Sequence, residues 1–241
     1  QGEQPRRRKP QVRPEEGMIV IGETYALVVR DLKRWYRTPA QIILVFTTPL
    51  MWLLLFGQAF NLGRLAMVPG GAGTDLRYVF GGAADYFSFM AVGQTAFIML
   101  FASFFSGVSL VWDRKFGFLS KLQVAPIPRA AIPISRVVST VVKSMLQASV
   151  VLILAYVFVF IPALSGLRFS PDFGILDMLG IAGFLLLLGL SLSALFVALG
   201  LITRNEETLF GLINLLNFPL MFTSSALIPI ALMPDWLATV A

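Results

Sequence analysis

The chain alternates between long apolar runs and short charged interruptions, and its elements follow from that alternation. Residues 19–37, IVIGETYALVVRDLKRWYR, have helical periodicity: Ile21, Tyr25, Val28, Val29, Leu32, Trp35 and Tyr36 share one face, while Glu23, Arg30, Lys33, Arg34 and Arg37 lie opposite. The pattern predicts an amphipathic helix over 18–38, with Pro39 separating it from the first long apolar run. An apolar arc edged by aromatics and backed by Arg and Lys suits the headgroup layer of a bilayer, although a helix packed on another domain has the same pattern. Beyond it come apolar stretches at about 39–60, 86–111, 134–161, 178–202 and 208–227, each near the ~20 residues that cross a bilayer as a helix.

Composition agrees with that reading. Only 13% of the 241 residues are charged and 57% are hydrophobic, against roughly 25% charged in a soluble domain. Too little polar surface remains to clothe a globule in water, so the chain is expected to be an all-α integral membrane protein with five spans. Charge then orients it. Arg6, Arg7, Arg8, Lys9, Arg13, Arg30, Lys33, Arg34 and Arg37 precede the first span; Arg114, Lys115, Lys121, Arg129 and Arg136 lie between the second and third; Arg204 follows the fourth. The other side receives Arg64, Arg77 and Arg168, with Lys143 inside the third span. The positive-inside rule places the N-terminus and the 112–133 loop in the cytoplasm. Residues 1–17 read as a basic, disordered tail. The basic surface suits anionic headgroups rather than nucleic acid, and the chain is placed in the inner or plasma membrane as a multi-pass protein.

The absence of cysteine and histidine excludes disulfides, Cys or His metal ligands, a thiol nucleophile and histidine acid–base chemistry. There is no phosphate-binding G-x-x-x-x-G-K-[ST] loop. The glycine-rich PGGAGTD at 69–75 lacks the strand–helix context of a phosphate cradle and reads as linker. No span carries a carboxylate pair for proton relay. Any uphill transport therefore needs an energy source on another chain. Lys143 is either a functional intramembrane cation or, as the preferred reading, a lysine whose stem snorkels to the headgroups. Small residues four apart, namely Ser103 with Gly107, Gly189 with Ser193 and Ala194 with Ala198, favour close helix packing without naming a partner. Pro49 and Pro219 are expected to kink their helices.

The loop VWDRKFGFLSKLQVAPIPR (111–129) is the least expected interruption. On a helical wheel Trp112, Phe116, Phe118, Leu119 and Leu122 share a broad arc, interrupted by Lys115 and Gln123, with Asp113, Arg114, Gly117, Ser120 and Lys121 opposite, until Pro126 and Pro128 forbid continuation. A short amphipathic helix over about 112–123 is predicted. By physics alone a partner-docking surface and a membrane-anchoring turn are equally supported.

Three stretches resemble one family, the membrane subunits of ABC-2 type transporters. They are RTPAQIILVFTTPLMWLLLFG, DRKFGFLSKLQVAPIPR and NFPLMFTSSALIPIALMPDWL, in that order, with Ala226 where many members carry glycine. The wording of the second is most similar to the daunorubicin-resistance and multidrug-export branch. The resemblance implies an ABC-2 type (type V ABC exporter) transmembrane domain over 39–241, normally of six spans, so the chain looks truncated before the last. It implies a permease subunit, not itself an enzyme, exporting an amphipathic drug, lipid or glycolipid. ATP and Mg would be held by a separate ATPase subunit, with no cofactor in this chain, and a second permease copy would complete the assembly. The 112–123 segment would be the coupling helix. Phe116, Phe118 and Leu119 would supply apolar contact to the ATPase, and Asp113, Arg114 and Lys115 orienting charge, with Gly117 and Leu122 in the same segment. The 18–38 helix, with Tyr25, Arg30, Lys33, Arg34, Trp35 and Arg37, would be the connecting helix. Ser225, Pro229, Pro234 and Trp236 would belong to an outer re-entrant segment over 228–241. The alternative is a stand-alone channel or scaffold without an ATPase. An intramembrane enzyme is disfavoured by the missing histidine, cysteine and paired carboxylates.

Overall fold

The computed structural model describes residues 14–59, 83, 85–118, 128–161, 164–169, 173–203, 205–224, 230 and 233–239, with backbone only at 14–20, 59, 222, 223, 237 and 238. The described residues form helices and no strand: α1 (Pro14–Tyr36), α2 (Pro39–Ala59), α3 (Tyr86–Lys115), α4 (Ala131–Val157, continued by a 3-10 turn over Phe158–Phe160), α5 (Ile175–Ile202), α6 (Glu206–Thr223) and α7 (Asp235–Ala238). Helices α2 to α5 are long and apolar enough to cross a membrane. The fifth expected span coincides with α6, whose 18 residues begin with Glu206 and Glu207.

Two boundaries differ from expectation. Helix α1 starts at Pro14, inside the stretch expected as tail, because proline suits a first helical turn that has no N–H partner to lose. Its end is set by Thr38, whose hydroxyl bonds back to the Arg34 carbonyl at 3.0 Å, with Pro39 opening α2. The second difference lies at the other interruption. No new helix begins at Trp112; α3 runs through Lys115 and closes at Phe116–Gly117, where Gly117 takes φ 71°. A left-handed glycine after the last turn is a common helix stop.

Helix α3 is the axis of the bundle. Buried residues account for 67% of its apolar stretch, against 17% for α2. Its closest neighbour is α5, and the small residues noted in the sequence lie between them. Ser103 and Ser193 share a hydrogen bond of 2.9 Å. A Cβ on Gly107 would stand 2.4 Å from the Phe196 carbonyl oxygen, and one on Gly200 would stand 2.5 Å from that of Gly107. Neither position admits a side chain. Phe97, Leu100, Phe104, Val108, Val111 and Phe196 continue this contact, with Leu209 and Ile213 of α6 closing it.

A second apolar cluster joins Leu53, Phe87, Ala91, Ile98, Val151, Ala155 and Leu167 near the far ends of α2, α3 and α4. There Gln58 clasps Ser165, donating from Nε2 to its carbonyl and accepting from its N–H, both at 2.9 Å. Proline within α2 creates a related need. Pro49 has no N–H for the Val45 carbonyl, and Gln147 of α4 donates to that carbonyl at 2.9 Å instead. In hydrocarbon an unsatisfied carbonyl costs several kcal/mol by order of magnitude, so a buried glutamine on the facing helix is a fitting substitute.

Candidate functional site

Four consecutive residues at the end of α3 reach out to three other elements. Asp113 accepts a charged hydrogen bond from Arg136 on α4. Arg114 donates to the carbonyls of Leu201 and Thr203, both at 3.0 Å. It thereby satisfies acceptors that the end of α5 leaves without helical partners. Trp112 Nε1 donates to Glu206 at 2.8 Å, and Lys115 pairs with the other oxygen of the same carboxylate. Glu206 consequently lies below the ordinary carboxylate pKa, chiefly through the Lys115 hydrogen bond and then that of Trp112.

Helix α1 joins this cluster through one residue. Asp31 Oδ2 accepts from Lys143 at 2.6 Å, and Oδ1 faces Arg136 at 3.4 Å. Arg136 and Lys143 are seven residues apart, two helical turns, so they leave α4 on the same face and converge on one carboxylate. Arg136 also holds Asp113, which gives a chain of charges Asp113–Arg136–Asp31–Lys143 across α3, α4 and α1. These side chains are 14–23% exposed. Burial alone would raise the Asp31 pKa; Lys143 and then Arg136 outweigh it and hold the carboxyl below its ordinary value.

Above the charges opens a cavity of about 820 Å³ between α1, α2, α3 and α4. Asp31, Arg34, Asp113, Arg136 and Lys143 form its charged end. Trp35, Trp52, Phe97, Phe101, Phe105, Trp112 and Phe116 supply aromatic wall, and Gln94, Ser106, Thr140 and Gln147 add isolated polar groups. An aromatic chamber with polar groups at one end can hold a molecule with an apolar body and a polar head.

The expected site residues fall into separate groups. Asp113, Arg114 and Lys115 are engaged within the chain, not turned outward as orienting charges. Phe116 projects, 77% exposed, at the rim of the cavity. Phe118, which is helical, lies half-buried under the Arg30 guanidinium, 4.8 Å from its ring centroid, so α1 holds the chain just beyond Gly117. Leu119 and Leu122 lie outside the described residues. On α1 the expected apolar face is divided. Val28 and, more loosely, Trp35 turn toward the bundle beside Leu27 and Asp31, whereas Ile21, Tyr25 and Tyr36 stay exposed. Arg30, Lys33, Arg34 and Arg37 are exposed. Pro234 and Trp236 are exposed at α7, and Ser225 and Pro229 lie outside the described residues.

Lys143 requires a correction. The preferred reading named no partner for its amine, which ends on Asp31 because α1 brings a counter-ion within reach. Sequence reasoning missed Asp31 itself. The available signal was a lone acid set among Arg30, Lys33, Arg34 and Arg37, but its partners are 105 and 112 residues away. Gln147 was missed as well, since nothing local links it to Pro49.

Comparison with known proteins identifies the kind of molecule. The family model described as ABC-2 type transporter matches residues 22–241. A protein named as a transport permease, ycf38, of Cyanophora paradoxa is 32% identical over 92% of this chain and 69% of its own length. The daunorubicin resistance ABC transporter permease protein DrrB1 of Streptomyces coeruleorubidus is 23% identical over 91% of the chain and 69% of its own. A protein named as a doxorubicin resistance ABC transporter permease, DrrC, of Mycobacterium tuberculosis (strain CDC 1551 / Oshkosh) is 24% identical, with coverages of 91% and 71%. No solved structure matches.

Proposed function

Since the chain belongs to the ABC-2 type transporter family and is a multi-pass membrane permease of that kind, we propose that it exports an amphipathic compound, with ATP and Mg bound by a separate ATPase subunit and no cofactor of its own. In this reading the charged end of the bundle faces the cytoplasm, and a second permease copy completes the pathway. The drug-resistance names of two relatives support export. The observation that carries the mechanism is the end of α3. One short run joins α4, α5 and α6 through Asp113, Arg114, Trp112 and Lys115, and the next residue, Phe116, is left exposed at the cavity rim. A push on the loop beyond Gly117 would reach these helices without passing through a flexible linker.

Each residue of the run then has its own task. Phe116 is the apolar contact for the ATPase, Phe118 fixes the loop to α1 through Arg30, and residues 112–115 carry displacement into the bundle. Whether a phosphate-loop ATPase co-purifies with the detergent-solubilised permease tests the partnership. Phe116→Asp should lower coupled ATP hydrolysis by about tenfold or more, as loss of an aromatic interface anchor does, and Phe118→Asp should do less. A Phe116→Asp, Phe118→Asp double variant that retains both co-purification and transport would overturn the docking role.

A further inference from the structure

The charged end of the cavity is not balanced. Asp31 serves Lys143 and Arg136, and Asp113 serves Arg136, so both carboxylates are occupied by cations of the same cluster. Arg34 lines the same cavity, is exposed, and makes no ion pair among the described residues. Three cations and two carboxylates leave the mouth with an excess positive charge, and Arg34, although within electrostatic reach of Asp113, is the lining guanidinium that no carboxylate holds by a hydrogen bond. Guanidinium favours planar, two-point contact with phosphate or carboxylate. Further in, Phe97, Phe101 and Phe105 line the α3 wall, opposite Trp52 of α2.

From these features we infer that the cavity admits an amphiphile with an anionic headgroup, the head against Arg34 and the apolar chain along Phe97, Phe101 and Phe105. The inference rests on the exporter reading for its consequence, because it makes this cavity the loading site and gives it a charge preference. An equally apolar cation would meet the unbalanced Arg34 and gain no partner, since both carboxylates are already engaged. The volume, about 820 Å³, lies within the range of roughly 300–1,000 Å³ typical of small-molecule sites.

Three of the four tryptophans, Trp35, Trp52 and Trp112, line the cavity, and the fourth, Trp236, does not. Intrinsic fluorescence can therefore report occupancy once Trp236→Phe has removed the background. The permease alone, in nanodiscs of phosphatidylcholine, is titrated with a chain-brominated dodecyl phosphate and an equally brominated dodecyltrimethylammonium. The phosphate should quench at about fivefold lower concentration, the preference expected of one basic side chain near a membrane surface. Arg34→Gln should bring the two probes within about twofold, and Arg37→Gln, next to α1 but outside the cavity lining, should leave the preference intact. Equal quenching by both probes, a preference that survives Arg34→Gln, or equal loss in Arg37→Gln would each overturn the inference. No ATPase takes part, so failure here leaves the co-purification result standing. A chain that never recruits an ATPase would fail the exporter reading while leaving the charge preference measurable.

Discussion

The α3–α5 seam and the α1–α4 flank hold neighbouring helices together by opposite means. At the seam, Gly107, Gly200, Ser103 and Ser193 bring backbone against backbone, with one neutral hydrogen bond and only apolar side chains such as Phe104 and Phe196 packed around them. At the flank, Asp31, Arg136 and Lys143 join the helices through long, charged side chains. A backbone contact below van der Waals distance for any added Cβ permits only one arrangement. A cluster of long side chains can exchange partners, be hydrated or be titrated while its helices shift. The seam is thus suited to act as a fixed axis, and the flank, with the cavity beside it, as the part able to move.

The largest effect should come from breaking the axis. Gly107→Val puts a branched side chain where even a Cβ would collide with the Phe196 carbonyl. The expected loss is about 3 kcal/mol or more, seen as aggregation or a much lower melting temperature in detergent; an unaltered melting curve would refute the seam as the rigid element.

The flank should be next. Asp31→Asn leaves Lys143 and Arg136 in a mostly buried place without their shared anion, at a cost of about 1–3 kcal/mol, reduced from a fully buried pair because water reaches these groups. Lys143→Met should be milder, because Arg136 still faces Asp31. In the double variant the losses should not add; strict additivity in the thermal unfolding of the four proteins would show that the pair is not coupled. The pH dependence has a defined sign. A carboxyl held below its ordinary value, about 3.9 for aspartate, contributes fully above that value and loses its contribution as pH falls through the lowered one. Protection of α1 against protease should be flat from about pH 5 to 8 and fall only in stronger acid.

Gln147→Leu tests a smaller element of the same flank. It keeps the apolar volume but leaves the Val45 carbonyl, already without a proline N–H, with no donor. A loss of about 1–2 kcal/mol is expected, and Pro49→Ala in the same chain should recover most of it. No recovery would mean that glutamine serves another purpose.

The smallest change is predicted for Lys115→Gln. Its pair with Glu206 is open to water, Trp112 still holds the carboxylate, and exposed pairs contribute little. Thermal stability should be indistinguishable from the parent. A clear drop would place the end of α3 among the rigid parts of the molecule.

These regions were unequally legible in the sequence. The long helices could be read because a run of apolar residues is a local property, and Pro39 and Gly117 punctuate the chain through their own backbone chemistry. The small residues of the seam could be seen to invite close packing, but spacing along one helix names no partner. At the 113–115 charges the local view misled. Asp113 and Arg114 look outward-facing on a helical wheel and Lys115 interrupts the apolar arc, yet the three bind Arg136, Thr203 and Glu206, which lie 23, 89 and 91 residues further along the chain.

By itself the sequence determined that the chain is helical, embedded in a membrane and related to ABC-2 permeases, because hydropathy, helix punctuation and motif order are carried by neighbouring residues. Tertiary structure decided which charges neutralise one another, which glycines touch, which carbonyl Gln147 serves and that Arg34 keeps its guanidinium open to the cavity. Those outcomes depend on distances between helices, and side chains seven residues apart on one helix become a site only when another helix brings Asp31 between them.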